Sequence, residues 1–271
     1  MVQTKTLANI HGARVIEAEG NFYDCLIALQ EAGAKPITPR NEAYARMQTA
    51  ESARIGKDRG TWTSAGFEYA NKQPVLLRAQ SHLLNPELAR QAVEVNRAGK
   101  YFSSKDIKFY EESMKQAEKD ASKEPAKRQV LILPSRDNFS IAPKTNFEVL
   151  EFLLKDKAKK YFEFNGSNPI EMYLVDKKTV DAQNGTLMTQ MWFRSLGGWS
   201  ELIGDSRYLY NGNRVRGVLR QTGEASSQRV LPYTQRDIRA AEKELGRLAK
   251  TLQPQHLTKL KNLVEMLKQG K

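Results

Sequence analysis

Cysteine, histidine and long apolar runs are scarce in this 271-residue chain, and each shortage excludes a class of protein. The single cysteine, Cys25, excludes an intrachain disulfide and any site built from several thiolates. The three histidines, His11, His82 and His256, are too scattered for the ligand spacing of a zinc site. No apolar run approaches the length of a membrane span, and the first residues lack the apolar core of a secretory signal. We therefore expect a cytoplasmic protein without a membrane partner.

Several functional motifs are missing as well. The chain contains no phosphate-binding P-loop, no dinucleotide fingerprint and no nucleophile elbow. It also has no zinc finger, no RNA-recognition signature and no basic zipper. With 40% hydrophobic and 27% charged residues the composition is that of an ordinary globular protein. The residues thus favour a folded, non-enzymatic protein and predict no cofactor for that function.

The positive charge is concentrated near the end of the chain. The net charge is +12, and residues 207–271 contribute 14 Lys and Arg against 5 Asp and Glu, or +9. Residues 1–206 contribute 29 against 26, or +3. Such a concentration indicates a localised surface that binds an anionic partner.

Apolar periodicity divides the chain into three predicted regions. Residues 1–125 look helical, with helices over residues 21–32, from Thr38-Pro39 onward, and from Asn85-Pro86 to Gly99. Within this region, residues 56–74 are rich in Gly, Thr and Ser and predict an exposed loop, whose Trp62 is expected to fold back onto the core.

Residues 126–220 form the second predicted region. Apolar runs at 130–133 and 172–175, separated by a helical pattern at 145–164, indicate a βαβ unit with parallel strands. Residues 187–196 resemble a buried helix. The third region, 221–271, is a helical hairpin tail. The fold class predicted is α/β, with a mixed α+β arrangement as the alternative.

A basic β-hairpin is predicted around Asn211-Gly212, because this dipeptide favours a type I′ turn between strand-like runs. The two-residue turn would place Arg207 opposite Arg216 and direct Tyr208 and Tyr210 toward the core. Alternation then groups four arginines on the other face: Arg207, Arg214, Arg216 and Arg220. Such a face is either a solvated strand surface without a partner or a surface that binds an anion.

The helix that follows carries a one-sided row of basic residues, which we call the basic ridge. At 100° per residue its members fall within about 80° of one another, opposite an apolar face. They are Arg236, Arg239, Lys243, Arg247 and Lys250. Phosphate backbones suit such a ridge, so we expect DNA or RNA as partner, docked through the hairpin and the ridge. An acidic protein partner is an alternative, and a winged-helix arrangement is a further possibility.

Two acidic residues suggest an enzymatic alternative. Asp137 follows the first predicted strand and Asp176 ends the second, with Lys178 nearby, so adjacent parallel strands would place both carboxylates on one rim. This set could hold Mg²⁺ and support phosphodiester hydrolysis. Pro134…Asp137 and Asp176-Lys-Lys178 resemble the pattern of restriction-type nucleases, which joins adjacent antiparallel strands where this chain has a helix. Asp176 could equally cap a turn toward Val180.

Overall fold

The structure, a computed structural model, describes residues 2–10, 13–48, 60–194, 201–205 and 207–220. These belong to one compact unit, Met1–Gln221, and Thr222–Lys271 form a second unit that lies outside the described residues. The predicted mixed α/β class is confirmed.

The described residues form one mixed sheet of twelve strands with helices around it. The strands are β1 (Thr4–Ile10), β2 (Ala13–Gly20), β3 (Lys35–Pro36), β4 (Thr61–Tyr69), β5 (Val75–Leu77), β6 (Ser103–Ser104), β7 (Val130–Ile132), β8 (Phe139–Ile141), β9 (Ile170–Tyr173), β10 (Thr186–Phe193), β11 (Glu201–Ile203) and β12 (Asn213–Arg220). The main path through the sheet runs β1-β2-β12-β4-β10-β11-β9-β8.

The α-helices of the described residues connect these strands. They are α1 (Phe22–Glu31), α2 (Pro39–Gln48), α3 (Pro86–Arg97), α4 (Lys108–Asp120), α5 (Phe147–Leu154), α6 (Ala158–Phe164) and α7 (Lys177–Asp181). Short 3₁₀ turns occur at His82–Leu84, Pro125–Lys127 and Lys155–Lys157. None of the helices described has the length and apolar character needed to cross a membrane.

Local capping chemistry explains where the first helices begin and end. The side chain of Asn21 accepts a hydrogen bond from the Asp24 amide at 2.9 Å, and Asn85 caps α3 in the same way. Gly33 and Gly99 follow the ends of α1 and α3 with φ of 71° and 73°, a conformation that glycine adopts without a Cβ clash. The predicted helices at these positions are confirmed.

The first 125 residues are not a separate helical region. They contain β1, β2, β4 and β5, and β4 pairs antiparallel with β10 while β5 pairs antiparallel with β7. Strands from both sides of residue 125 therefore share one sheet, and the predicted boundary at 125/126 falls inside a single unit.

The largest correction concerns β4, which the sequence predicted to be an exposed loop. All nine of its residues are buried. Its threonine hydroxyl groups find acceptors inside the sheet: Thr63 Oγ1 donates to Met191 O at 3.4 Å and Thr61 Oγ1 to Arg214 O at 3.2 Å. Internal partners make a polar strand compatible with burial. The predicted burial of Trp62 is confirmed, at 1% exposed.

Two further pairings differ from the prediction. Among the described strands, β7 pairs with β5 alone, whereas β9 pairs antiparallel with β8 and parallel with β11, so the predicted βαβ unit does not form. The helix predicted over residues 187–196 is not formed: its first seven residues belong to the strand β10, which spans Thr186–Phe193. A short apolar run has no period that separates a buried strand from a buried helix.

The sheet is covered on both faces by apolar clusters. Successive residues Leu187 and Met188 of β10 belong to different clusters, because neighbouring side chains on a strand point to opposite faces. One cluster joins the sheet to α5 and α6, and the other joins it to α1 and α3. Polar side chains on the inner strands must therefore be satisfied within the protein.

Candidate nucleic-acid interface

The predicted hairpin at Asn211-Gly212 is wrong. Residues 209–212 form a turn and bend in which the Asn211 amide donates to Tyr208 O at 3.1 Å, and neither Asn211 nor Gly212 has a positive φ. β12 begins at Asn213 and pairs with β2, so Arg216 does not lie opposite Arg207. The long-range pairing of β12 replaces the local hairpin.

β12 places its arginines against acidic residues of β2. In the antiparallel register Arg214 lies opposite Glu19 and Arg216 opposite Glu17. Arg216 Nε donates to Glu17 Oε2 at 3.0 Å, and Arg214 Nη1 lies 3.5 Å from Glu17 Oε1. Opposite charges directly across two strands stabilise the pairing, unlike the repulsion that a hairpin would produce.

A second acid continues this network into α2. Arg216 Nη1 also donates to Glu42 Oε1, which accepts another hydrogen bond from Arg46 Nε at 2.8 Å. Burial by itself would raise the pKa of Glu42, but the charges of Arg216 and Arg46 hold that pKa below its ordinary value. Arg216 is therefore part of an interior ion network and is not accessible to a phosphate.

Arg207 remains on the surface beside aromatic side chains. Its guanidinium lies 5.1 Å from the ring centroid of Tyr101, within the range of a cation–π contact. Among the described residues it forms no ion pair. Tyr208 is 53% exposed, which corrects its predicted place in the core, while Tyr210 is partly buried against the α1 side of the sheet.

The other predicted binding residues are only partly covered by the structure. Arg220 ends β12, opposite Ala13, and its side chain is not described. The basic ridge lies outside the described residues: Arg236, Arg239, Lys243, Arg247 and Lys250. The ridge therefore stays a sequence prediction.

The acidic rim is arranged differently from its prediction. β7 and β9 are not neighbours, so adjacent parallel strands do not place Asp137 beside Asp176 as predicted. The two loops are nevertheless in contact, because Asn138 Oδ1 accepts a hydrogen bond from the Leu174 amide at 2.7 Å. Asp137 is exposed, as is Lys178. Asp176 caps α7 by accepting from the Thr179 amide at 2.9 Å, and its hydrogen bonds to Thr179 lower its pKa.

Asp205 is the acid that the sequence prediction missed. It lies two residues after β11, and β11 is the parallel neighbour of β9, so Asp205 and Asp176 both follow the carboxyl ends of parallel strands. Burial raises the pKa of Asp205, and the nearby Arg207 opposes that shift. Residues 201–205, Glu-Leu-Ile-Gly-Asp, contain a short apolar run followed by an acid, which is the signal that singled out Asp176.

Metal ligands do not cluster in the part of the chain that the structure describes. No group of three or more His, Cys, Asp or Glu side chains there could hold an ion. His82 contacts the buried Glu68 through Nδ1, and Cys25 is buried on α1 with its pKa raised by burial to about 12.

Neither a family model, nor a curated protein, nor a solved structure matches the chain. Charge and geometry are therefore the grounds on which a function can be assigned.

Proposed function

We propose that the protein binds nucleic acid through its phosphate backbone, using the basic ridge and Arg207. The observation that carries the proposal is that the arginines after residue 206 differ in whether an acidic side chain neutralises them. Arg214 and Arg216 are neutralised by Glu17, Glu19 and Glu42, whereas Arg207 is exposed and forms no ion pair among the described residues.

The remaining surplus lies in residues 222–271, which carry 10 Lys and Arg against 5 Asp and Glu. Each phosphate that such cations neutralise releases condensed counterions, which provides affinity without reading the base sequence. A typical solvated helix face would mix both signs, and the ridge does not. Its sequence pattern thus supports a phosphate-binding role.

Aromatic side chains next to Arg207 favour a single-stranded ligand. Tyr208 is exposed, and Tyr101 lies under the Arg207 guanidinium. Unpaired bases stack on exposed aromatic rings, while paired bases in a duplex are already stacked. Single-stranded DNA and single-stranded RNA of equal length are therefore the first ligands to compare.

The test is fluorescence anisotropy with labelled oligonucleotides over a series of salt concentrations. Reversing Arg239, Lys243 and Arg247 to Glu should weaken binding and reduce the slope of log K against log salt by about three, roughly one for each phosphate that is no longer neutralised. The matched control reverses Lys108, Lys115 and Lys119, three exposed residues of α4, and changes the net charge equally. Equal losses in both variants, or no loss in either, would refute the ridge as the interface.

Copurifying material separates nucleic acid from the acidic-protein alternative. Freshly purified protein with strong absorbance at 260 nm that nuclease treatment removes would support a nucleic-acid partner. An absorbance spectrum without excess at 260 nm, together with an acidic protein that copurifies in a stoichiometric amount, would support the alternative.

A second candidate function is metal-dependent phosphoryl transfer at the rim of β9 and β11. It is supported by Asp176 and Asp205 after the ends of two parallel strands and by the raised pKa of Asp205. Cleavage of oligonucleotides with Mg²⁺ or Mn²⁺ that is lost in Asp176→Asn and Asp205→Asn would support this activity. Cleavage that survives both substitutions would exclude these acids.

A further inference from the structure

Arg78 is a buried cation that forms no ion pair with any described residue, and its guanidinium lies 5.4 Å from the ring centroid of Phe152. It follows β5, is 6% exposed, and donates from Nη1 to Ala126 O at 2.7 Å and to Phe152 O at 3.3 Å. Nε and Nη2 have no acceptor in the part of the chain that is described. A buried guanidinium usually has a carboxylate partner, because an uncompensated interior charge is costly.

The acid whose charge acts on Arg78 already has other hydrogen-bond donors. Asp120 is fully buried, and it accepts from the Gln129 amide at 2.6 Å and from Lys123 Nζ at 2.6 Å. It also accepts from Gln116 Nε2. Asp120 influences Arg78 only at longer range, and burial lowers the pKa of Arg78 despite it.

Lys155 lies near enough to Arg78 and to Arg40 for both charges to act on it. Phe152, which accepts from Arg78, is three residues before Lys155, and Asp156 next to Lys155 binds Arg40 Nε at 2.8 Å. Lys155 is exposed and has no ion pair within the described residues. Partial burial and then the charges of Arg78 and Arg40 lower its pKa.

The charges at this position do not balance. Asp156 forms ion pairs with both Arg40 and Lys157, and the Lys157 Nζ lies 3.0 Å from Asp156 Oδ2. Lys155 also holds a left-handed backbone with φ of 55° and ψ of −128°, which is strained for a residue with a Cβ. Arg78 and Lys155 therefore have no ion-pair partner among the described residues, and Lys155 is also held in an unfavourable conformation.

We propose that Arg78, Lys155 and Arg40 form a binding site for a phosphate group carrying two negative charges. The Nε and Nη2 nitrogens of Arg78, which carry three N–H groups, provide the planar donors that suit phosphate oxygens, and Lys155 provides a point charge. The phosphate is either inorganic phosphate or the terminal phosphomonoester of a polynucleotide. The site uses none of the residues of the basic ridge and does not depend on the proposed nucleic-acid binding.

Inorganic phosphate titrated into the full-length protein by isothermal calorimetry tests the site. Lys155→Gly removes the charge and also suits the positive φ, so the variant should unfold at a temperature no lower than the wild type. Its phosphate affinity should fall about tenfold, as expected for the loss of a charged hydrogen bond. Arg40→Gln removes a second charge from the site and leaves Asp156 paired with Lys157. This substitution should also weaken phosphate binding.

Lys72→Gln is the matched control, because Lys72 is an exposed lysine in the turn before β5, at the opposite end of that strand from Arg78. Its phosphate affinity should equal that of the wild type. Absence of phosphate binding in the wild type, or an equal loss in Lys72→Gln and Lys155→Gly, would overturn the proposal. Substituting Arg78 itself is less informative, since its bonds to Ala126 and Phe152 hold interior carbonyls.

The source of the phosphate is decided in the variant with the reversed ridge, where backbone binding is removed. In this variant, a 5′-phosphorylated oligonucleotide is compared with the same oligonucleotide carrying a 5′-hydroxyl. If only the phosphorylated form binds and competes with inorganic phosphate, the ligand is the end of a polynucleotide. Inorganic phosphate binding without that difference would identify free phosphate. If charge reversal of the ridge leaves oligonucleotide binding unchanged, the binding of inorganic phosphate can still be measured. The two proposals can therefore fail separately.

Discussion

Arg216 of β12 lies opposite Glu17 of β2, and the Arg216 Nε is 3.0 Å from Glu17 Oε2. Both side chains are 1% exposed. Through its Nη1 the same guanidinium binds Glu42 of α2, so that one cation joins three elements from distant parts of the described chain. In a buried network of this kind each charge depends on its partners, because water cannot replace them.

The first prediction concerns this network. Arg216→Met should lower the free energy of unfolding by about 3–5 kcal/mol, because it leaves two buried carboxylates without their shared cation. Urea denaturation followed by circular dichroism measures the change. Arg90→Met is the control, since Arg90 pairs with Glu87 on the exposed face of α3, and its loss should leave stability almost unchanged. Equal effects of the two substitutions would place Arg216 outside the interior.

The second prediction concerns the response of Glu42 to acid. Its folded-state pKa is lowered, so its contribution to stability is complete above the unfolded-state value of about 4.3 and is lost as the pH falls through the folded-state value. Stability measured from pH 7 downward should therefore fall below about pH 4.3. Glu42→Gln should be less stable at neutral pH and should lose less stability over the acidic range. A parallel decline in both proteins would contradict the prediction.

Helix positions in the first hundred residues followed from local chemistry. Asn21 and Asn85 cap helices through their own side chains, and Gly33 and Gly99 end them through a positive φ. Each signal lies within a few residues of the feature that it determines, so the sequence could be interpreted without knowing the fold. Trp62 was predictable for a different reason, since a large aromatic side chain is usually buried.

Strand pairing could not be predicted in this way. β4 is polar in sequence, and its burial as an inner strand is made compatible with its threonines by acceptors on β10 and β12. Arg216 resembled a surface arginine because its partners, Glu17 and Glu42, are 199 and 174 residues away. Asn211-Gly212 favours a hairpin locally, but β2 competes successfully for the following strand. Tertiary partners determined each of these outcomes.

The third prediction uses glycine to distinguish the observed turn from a type I′ hairpin. Gly212 has no positive φ and its Cβ position is open, so Gly212→Ala should change stability by less than about 0.5 kcal/mol. A type I′ turn requires a positive φ there and would be destabilised by about 1 kcal/mol or more.

Two further glycines calibrate that measurement. Gly33 has a φ of +71° in open space, and Gly185 has a φ of +114° with a Cβ position 2.0 Å from Ser104 O. Alanine at 33 should show the cost of backbone strain, and alanine at 185 should cost more because a backbone clash is added. Thermal unfolding should therefore rank the variants 212, 33 and 185 in order of increasing damage, and any other order would contradict the geometry.

The fourth prediction concerns His82. Its hydrogen bond with Glu68 raises the His82 pKa, and partial burial opposes this only in part. Titration by NMR should give a midpoint above the ordinary value of about 6.5, and Glu68→Gln should lower that midpoint. The pair contributes stability that is complete below the unfolded-state pKa and is lost as the pH rises through the folded-state pKa. His82→Gln should remove this loss, and an unchanged midpoint in Glu68→Gln would disprove the pairing.

The fifth prediction concerns the aromatic surface beside Arg207. Tyr208→Ser should weaken binding of single-stranded oligonucleotides by about 1–3 kcal/mol if a base stacks on the ring, and should have little effect on duplex binding. Phe164→Ser is the matched control, because Phe164 is exposed to a similar extent, 47% against 53%, and lies on α6. Anisotropy with single-stranded and duplex ligands at one salt concentration measures both effects. A loss shared by single strands and duplexes would show that Tyr208 supports the fold or the charge distribution rather than stacking, and unchanged binding would limit the interface to cationic residues.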